Sequence, residues 1–240
     1  MKYIIPMAGE SSRFFNAGFK IPKYLIKVKG KTLLEHSVSS LPYDLDDEII
    51  FIVLKEHNNL YKTDEIIKRT FDQRNIRVLT IETQTRGQSE TVFLSRKYVD
   101  EDEQLLIYNI DTCFISSNLR KLIKNKNDLF DGVLGSFISA NNDSHWSFAK
   151  LNSDKIVTEV KEKEKISNHA LTGLYHFSKA NDFFDTAEYH IEKNILYKNE
   201  FYIAPLYNDL IKIGKKYIID IVDHFVPLGT PEEVARFEKN

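Results

Sequence analysis

Apolar and polar positions alternate in two different rhythms along the first 115 or so residues of the chain. Residues 2–6, KYIIP, form a short apolar run, and they predict a strand that ends at Pro6, which cannot donate to a sheet ladder. In TLLEHSVSSL, residues 32–41, Leu33, Leu34, Val38 and Leu41 recur at helical spacing behind Thr32, so an amphipathic helix capped by that threonine is expected. EIIFIVL at 48–54 is continuously apolar and rich in β-branched residues, the pattern of a strand buried on both faces of a parallel sheet. Helical spacing returns over 60–73 and 88–99, with strand patterns at 77–82 (RVLTIE) and 104–110 (QLLIYNI). This strand-helix alternation predicts an α/β fold built on a doubly wound, mostly parallel sheet.

Past that point the rhythm changes. GVLGSFIS, WSFAKLN, KIVTEVKE and ALTGLYHFS read as short strands joined by polar turns, so the sheet is expected to become mixed. Helices are expected near 180–193 and 203–214, followed by a last strand in YIIDIVD. TPEEVARFE then predicts a closing helix, with Thr230 as cap and Pro231 in the first turn. There is no internal repeat and no low-complexity tract.

Composition narrows the picture. A chain of 240 residues, 42% hydrophobic and 28% charged, has the material for one large domain. A formal net charge of −2 gives no general attraction to nucleic acid or to an anionic membrane, so neither is expected as a partner. The single cysteine, Cys113, excludes an intramolecular disulfide and reads as a small buried hydrophobe. No run approaches the ~20 apolar residues of a membrane span, and the first residues lack the basic, apolar and small-residue order of a secretion signal, so a cytoplasmic location is expected.

Three stretches carry candidate chemistry. MAGESSR, residues 7–13, follows the first strand, where ligands of open α/β sheets bind. Its small residues allow close backbone approach and Arg13 adds a fork of donors, so it reads either as a phosphate cradle or as an ordinary surface turn. It is neither a Walker loop nor a dinucleotide-binding fingerprint. Lys23 stands behind Pro22, which restrains the backbone and presents the ammonium at a defined point. Asp111 ends an apolar strand on the same rim, where a carboxylate serves equally to hold Mg²⁺ or to cap the next turn. The charge run KEKEK at 161–165 reads, by itself, as a solvated edge.

Taken in order, MAGESSRF, IPKYLIKVKGKTLLEHSV, NIDT, VTEVKEKEKISNHALTGLYHF, YIAPLYNDLI and PLGTPEEV resemble the nucleotidyltransferases that join sugar phosphates and related phosphates to nucleoside triphosphates. The likeness is greatest to small capsule and cell-envelope members and to choline-phosphate cytidylyltransferase-like enzymes. It covers nearly the whole chain. It implies a Rossmann-like nucleotidyltransferase fold in one domain, with a nucleotide-binding part over 1–115 and a small acceptor-binding part over 116–240. By the same likeness Ala8, Gly9, Ser11 and Ser12 contact the nucleotide, Arg13 and Lys23 act on its phosphates, and Asp111 ligates magnesium. TQTRGQSETV resembles a base-recognition loop, with Gln84, Gly87 and Gln88 as the residues that meet the base. Glu162 and Lys163 would face the acceptor, with Asn168 and Gly173 near it. Many members carry a second acidic ligand just before the GTPEE segment, where this chain has Pro227 and Leu228; Asp223, then Asp220, are the nearest upstream acids, and Asp223 is assigned the role.

The implied reaction is attack by an acceptor phosphate on the α-phosphorus of a nucleoside triphosphate, with release of pyrophosphate. CTP is favoured over UTP or dTTP, the acceptor is a sugar phosphate or another small phosphate, and the setting is capsule or cell-surface polysaccharide synthesis. Monomer and homodimer are both open. The aromatics His145, Trp146, Tyr175 and Phe201 fall in the acceptor half, either as core or as a box for a quaternary ammonium. Two other readings stay in view: a nucleotide-sugar glycosyltransferase, and a non-catalytic nucleotide-binding subunit.

Overall fold

A computed structural model of the chain describes residues 1–124, 129–140 and 144–239. Its strands are β1 (Lys2–Met7), β2 (Lys27–Val28), β3 (Lys31–Thr32), β4 (Glu48–Leu54), β5 (Asn75–Ile81), β6 (Leu105–Tyr108), β7 (Thr112–Ile115), β8 (Gly132–Ile138), β9 (Ser147–Leu151), β10 (Val157–Glu162), β11 (His169–Phe177), β12 (Tyr217–Ile221) and β13 (His224–Pro227). Its helices are α1 (Ser12–Asn16), α2 (Leu33–Val38), α3 (Lys55–Tyr61), α4 (Thr63–Thr70), α5 (Gln88–Phe93), α6 (Leu119–Lys124), α7 (Ala180–Glu192), α8 (Leu206–Lys212) and α9 (Pro231–Lys239).

Nine of the strands make one sheet, in the path β10-β9-β11-β6-β1-β4-β5, with β8 on β11 and β12 on β8. β6, β1, β4 and β5 run parallel, whereas β11 is antiparallel to both β6 and β8. The mostly parallel half and the mixed half therefore share one continuous sheet. Within the parallel half the chain order reverses between β1 and β6, and such a reversal opens a crevice beyond the carboxyl ends of those two strands.

Period-two alternation explains why both faces carry helices. Tyr3, Ile5 and Met7 of β1 join Ile49, Phe51 and Val53 of β4 in a core covered by α2, α4 and α6. Ile4, Ile50 and Ile52 face the opposite core with α5, α7 and α8, where Phe183, Phe184 and Tyr207 are buried. Thr32 starts α2 with a capping box, its hydroxyl accepting from the Glu35 amide while the Glu35 carboxylate accepts from the Thr32 amide. No helix among the described residues is long and apolar enough to cross a membrane.

Several expected elements differ in extent. Pro6 does not end β1; it lies inside the strand, paired with Ile52. Lys2 donates toward β6, so alternation turns the nitrogen of Pro6 to that same side, and the β6 ladder stops at Ile4. No ladder bond is lost there. The helix expected over 60–73 is two helices broken at Lys62, whose φ of 55° is left-handed. The helix expected over 88–99 ends at Phe93 and gives way to a 3₁₀ turn over Arg96–Tyr98. The strand expected over 104–110 stops at Tyr108, which frees Asn109–Asp111 to line the crevice. Two ribbons, β2–β3 and β7–β13, were not expected from the pattern.

Candidate active site

Two loops meet in the crevice. The first leaves β1 at Met7, passes Ala8 and Gly9, and reverses at Ser11, whose φ of 59° is left-handed. Ser11 Oγ accepts the Lys23 amide at 3.0 Å, which docks the Pro22–Lys23 segment on this loop. The second follows β6. Asp111 is held there on three sides: its carbonyl accepts the Leu228 amide at 2.8 Å, the next residue, Thr112, donates to the Thr172 carbonyl, and the Tyr108 hydroxyl donates to the Thr112 carbonyl.

Lys23 Nζ then reaches across to Asp111 Oδ2 at 2.8 Å. Burial pushes the Asp111 carboxyl up, and the Lys23 ammonium, with Arg13 beyond it, outweighs burial and holds the group below the usual carboxylate range. Asp111 therefore stays an anion at neutral pH.

A cavity of about 300 Å³ opens between these loops, lined by Ala8, Gly9, Lys23 and Asp111 on one side and by Gln84, Gly87 and Gln88 on the other. The 84–88 loop owes its position to Gly87. A Cβ there would stand 2.6 Å from the Phe201 carbonyl oxygen, and the Phe201 amide donates to Arg86 while the Ser89 amide donates to Phe201. A second cavity, of about 360 Å³, continues past Asp111. Arg13, Glu162, Lys163, Gly173 and the aromatics His145, Trp146, Tyr175 and Tyr202 line it. Burial pushes the Glu162 carboxyl up, although the Ser147 hydroxyl donates to it and Lys163 is near. Lys163, with a left-handed φ of 54°, donates from Nζ to the Tyr202 hydroxyl.

Of the residues expected at the site, Ala8, Gly9, Arg13, Lys23, Gln84, Gly87, Gln88, Asp111, Glu162, Lys163 and Gly173 line one cavity or both. Ser11 and Ser12 line neither; Ser11 supports Lys23, and the Ser12 hydroxyl donates to the Glu10 carboxylate. Asn168 also stays outside, its carbonyl accepting the Ser139 amide. Phe201 is buried beneath the Arg86 guanidinium, and Tyr202 takes the aromatic place expected of it.

Asp223 requires a correction. On the β7–β13 ribbon Pro227 faces Thr112 and His224 faces Ile115, so Asp223 sits past the far end, roughly 13 Å of strand from the Asp111 end. There its carboxylate accepts the Ser117 amide at 2.7 Å. Asp220 is buried in β12 and lines neither cavity. The acid that does approach Asp111 is Glu233, which the motif comparison passed over: a Cβ on Gly229 would lie 3.3 Å from Asp111 Oδ2 and 3.6 Å from Glu233 Oε2. Glu233 Oε2 also accepts the Gly229 and Thr230 amides at the start of α9. No group of three or more His, Cys, Asp or Glu gathers as a metal cage among the described residues. These oxygen donors fit a hard cation that would be held through the Asp111 carboxylate, rather than an all-protein site.

The sequence profile of the nucleotidyl transferase family matches residues 2–207. The fold superimposes with a TM-score of 0.84 on a nucleoside-diphosphate-sugar pyrophosphorylase from Vibrio cholerae RC9, 33% identical, over 99% of this chain and 100% of that one. An inositol-1-phosphate CTP transferase from T. maritima shares the fold at a TM-score of 0.74 and 14% identity, over 100% of this chain and 96% of that one. The 2-C-methyl-D-erythritol 4-phosphate cytidylyltransferase of Wigglesworthia glossinidia brevipalpis is 28% identical over 122 residues, which are 50% of this chain and 49% of that protein. The chain spans about half the length of the curated relatives it matches.

Proposed function

The chain belongs to the nucleotidyl transferase family, and from that premise we propose that it transfers a nucleoside monophosphate, CMP by preference, from its triphosphate to a small phosphorylated acceptor. The observation that carries this reading is the Lys23–Asp111 pair, 2.8 Å apart, with Lys23 lining the first cavity and Asp111 lining both. Two anionic substrates need two compartments and a cationic group where they meet.

The acceptor phosphate oxygen forms a bond to the α-phosphorus, the bond to the bridging oxygen breaks, and its electron pair leaves with pyrophosphate. No protein nucleophile is required. Lys23 and Arg13 offset charge on the phosphates, each such contact being worth roughly 2–4 kcal/mol in a desolvated transition state. The family generally uses a divalent metal; Asp111 would hold Mg²⁺ here, and the ion would supply further charge neutralisation at the phosphates. Gln84 offers an amide donor and acceptor to a base, and Gln88, whose Nε2 donates to Asn109 Oδ1, offers its carbonyl oxygen. The preference for CTP draws support from a relative named as a cytidylyltransferase. Glu162 and the aromatic wall of the second cavity suit an acceptor with hydroxyl or amino groups, such as a sugar phosphate, and a role in cell-surface polysaccharide synthesis is the setting proposed for it.

A thermal-shift panel of nucleoside triphosphates with Mg²⁺ tests the reading, followed by pyrophosphate release with sugar phosphates, choline phosphate and glycerol phosphate. Stabilisation by CTP above UTP and dTTP, with pyrophosphate formed in the presence of one acceptor, is the expected result. Glycosyl transfer from a nucleotide sugar without pyrophosphate, or nucleotide binding without turnover, would replace it.

A further inference from the structure

Of the residues lining the two cavities, only Gln88, Asn109 and Asp111 line both, so they mark the junction between the two. Asp111 is engaged by Lys23. The other two are neutral amides bonded to each other, Gln88 Nε2 donating to Asn109 Oδ1. That bond uses the carbonyl of Asn109 and leaves the two N–H donors of Nδ2, which find no acceptor among the described residues.

The Asn109 amide group is held in place from three directions. Gln88 binds its oxygen, the Asn109 backbone amide donates to the Gly173 carbonyl at 3.2 Å, and the side chain packs against Gly173. A Cβ on residue 173 would collide with Asn109 Nδ2 and stand 2.6 Å from its Cγ. Gly173 is also left-handed, with φ of 86°, so two independent constraints keep a side chain out of this spot. A fixed pair of unspent donors at the junction of the two cavities has the form of a preorganised oxyanion site.

We propose that Asn109 Nδ2 donates to the acceptor phosphate where it meets the α-phosphate, and that Gln88 and Gly173 are positioning residues that hold the amide in that orientation. This assignment rests on the nucleotidyltransferase reading. Its role differs from that of Lys23 and Arg13: the amide orients an attacking oxygen without adding charge that would bind it too tightly in the ground state.

Inorganic phosphate is the probe, titrated by ³¹P NMR into protein loaded with Mg²⁺ and the α,β-methylene analogue of whichever triphosphate binds best. Asn109→Asp still accepts from Gln88 but exchanges the donors for negative charge, and is expected to weaken phosphate at least thirtyfold. Asn109→Ala is expected to weaken it about tenfold, with the dissociation constant of the nucleotide analogue changing less than threefold in both variants. In turnover with the best acceptor, the loss is expected in kcat and in the KM for acceptor, not in the KM for nucleotide. Asn109→Ser, neutral and smaller, replaces the charged variant if melting shows that it misfolds, with the same tenfold loss expected. Phosphate binding unchanged in Asn109→Asp, no phosphate binding by the loaded wild type, or a parallel loss of nucleotide affinity overturns the proposal and leaves the family-level function standing. Failure of the wild type to bind any triphosphate analogue overturns both.

Discussion

Lys23 and Asp111 lie 88 positions apart in the chain and 2.8 Å apart in space, an ammonium and a carboxylate that join the loop after the first strand to the loop after β6. Lys23→Met keeps the length of the stem and removes the charge. It is expected to lower kcat for pyrophosphate release roughly 100- to 1,000-fold, the effect of deleting one fixed transition-state donor, while the melting temperature falls by only a few degrees. A variant within threefold of wild type in kcat would take Lys23 out of the chemistry.

Asp223 and Asp111 make opposite predictions about metal dependence. Asp111→Asn is expected to abolish Mg²⁺-dependent turnover, whereas Asp223→Asn, at the far end of the β7–β13 ribbon, should leave the Mg²⁺ concentration for half-maximal rate unchanged within twofold. Titration of Mg²⁺ against initial rate separates the two.

Gly87 sits so close to the Phe201 backbone that a methyl group cannot be added without moving one of the two segments. Gly87→Ala should displace the 84–88 loop and weaken nucleotide binding at least tenfold, with about 1–3 kcal/mol of stability lost to overpacking. Calorimetric titration of the nucleotide and a urea melt read the two effects independently.

The pH dependence of stability should carry a contribution from His176. It is 2% exposed, neither ring nitrogen has a partner among the described residues, and burial pushes its pKa down to about 4 from 6.5. The unfolded chain therefore binds a proton near pH 6.5 that the folded protein refuses until about pH 4. Stability is retained above pH 6.5 and falls as the pH drops through that window, by roughly 3 kcal/mol at most from this group. His176→Leu should flatten that part of the acid limb relative to wild type in melts between pH 4 and pH 7. An unchanged difference between the two proteins across the window would assign the acid sensitivity elsewhere.

The elements that sequence alone reveals are those governed by local pattern. EIIFIVL is read as a doubly buried strand from its continuous β-branched run, and every residue of β4 is buried; Thr32 is read as a cap from its place before the helix, and the structure adds Glu35 as its box partner. The loop after β1 and Asp111 are legible because ligand sites follow strand ends in this architecture, Lys23 because Pro22 restrains the backbone beside it, and the 84–88 segment only through the family resemblance. What escapes is set by distant partners. The β7–β13 ribbon pairs residues more than a hundred positions apart, so nothing near Asp223 shows that it lies at the wrong end. Asn109 is hidden for the same reason: its importance comes from Gln88 and Gly173, neither of which is its neighbour in sequence. Glu233 looks like a helix-capping acid, which it is, and only the fold brings it toward Asp111.

The β7–β13 ribbon also fixes when Asp111 gains its last contacts during synthesis. Leu228 grips the backbone of Asp111, and the strand leading to it, residues 224–227, zips onto the four residues that follow that aspartate. A ribosome-bound chain that has emitted both crevice loops therefore still lacks the segment that closes on Asp111. Only when the polypeptide beyond residue 228 has cleared the exit tunnel can the Asp111 backbone gain the Leu228 amide and its carboxylate gain Gly229 and Glu233 as neighbours, so the wall of the second cavity is the last to be completed.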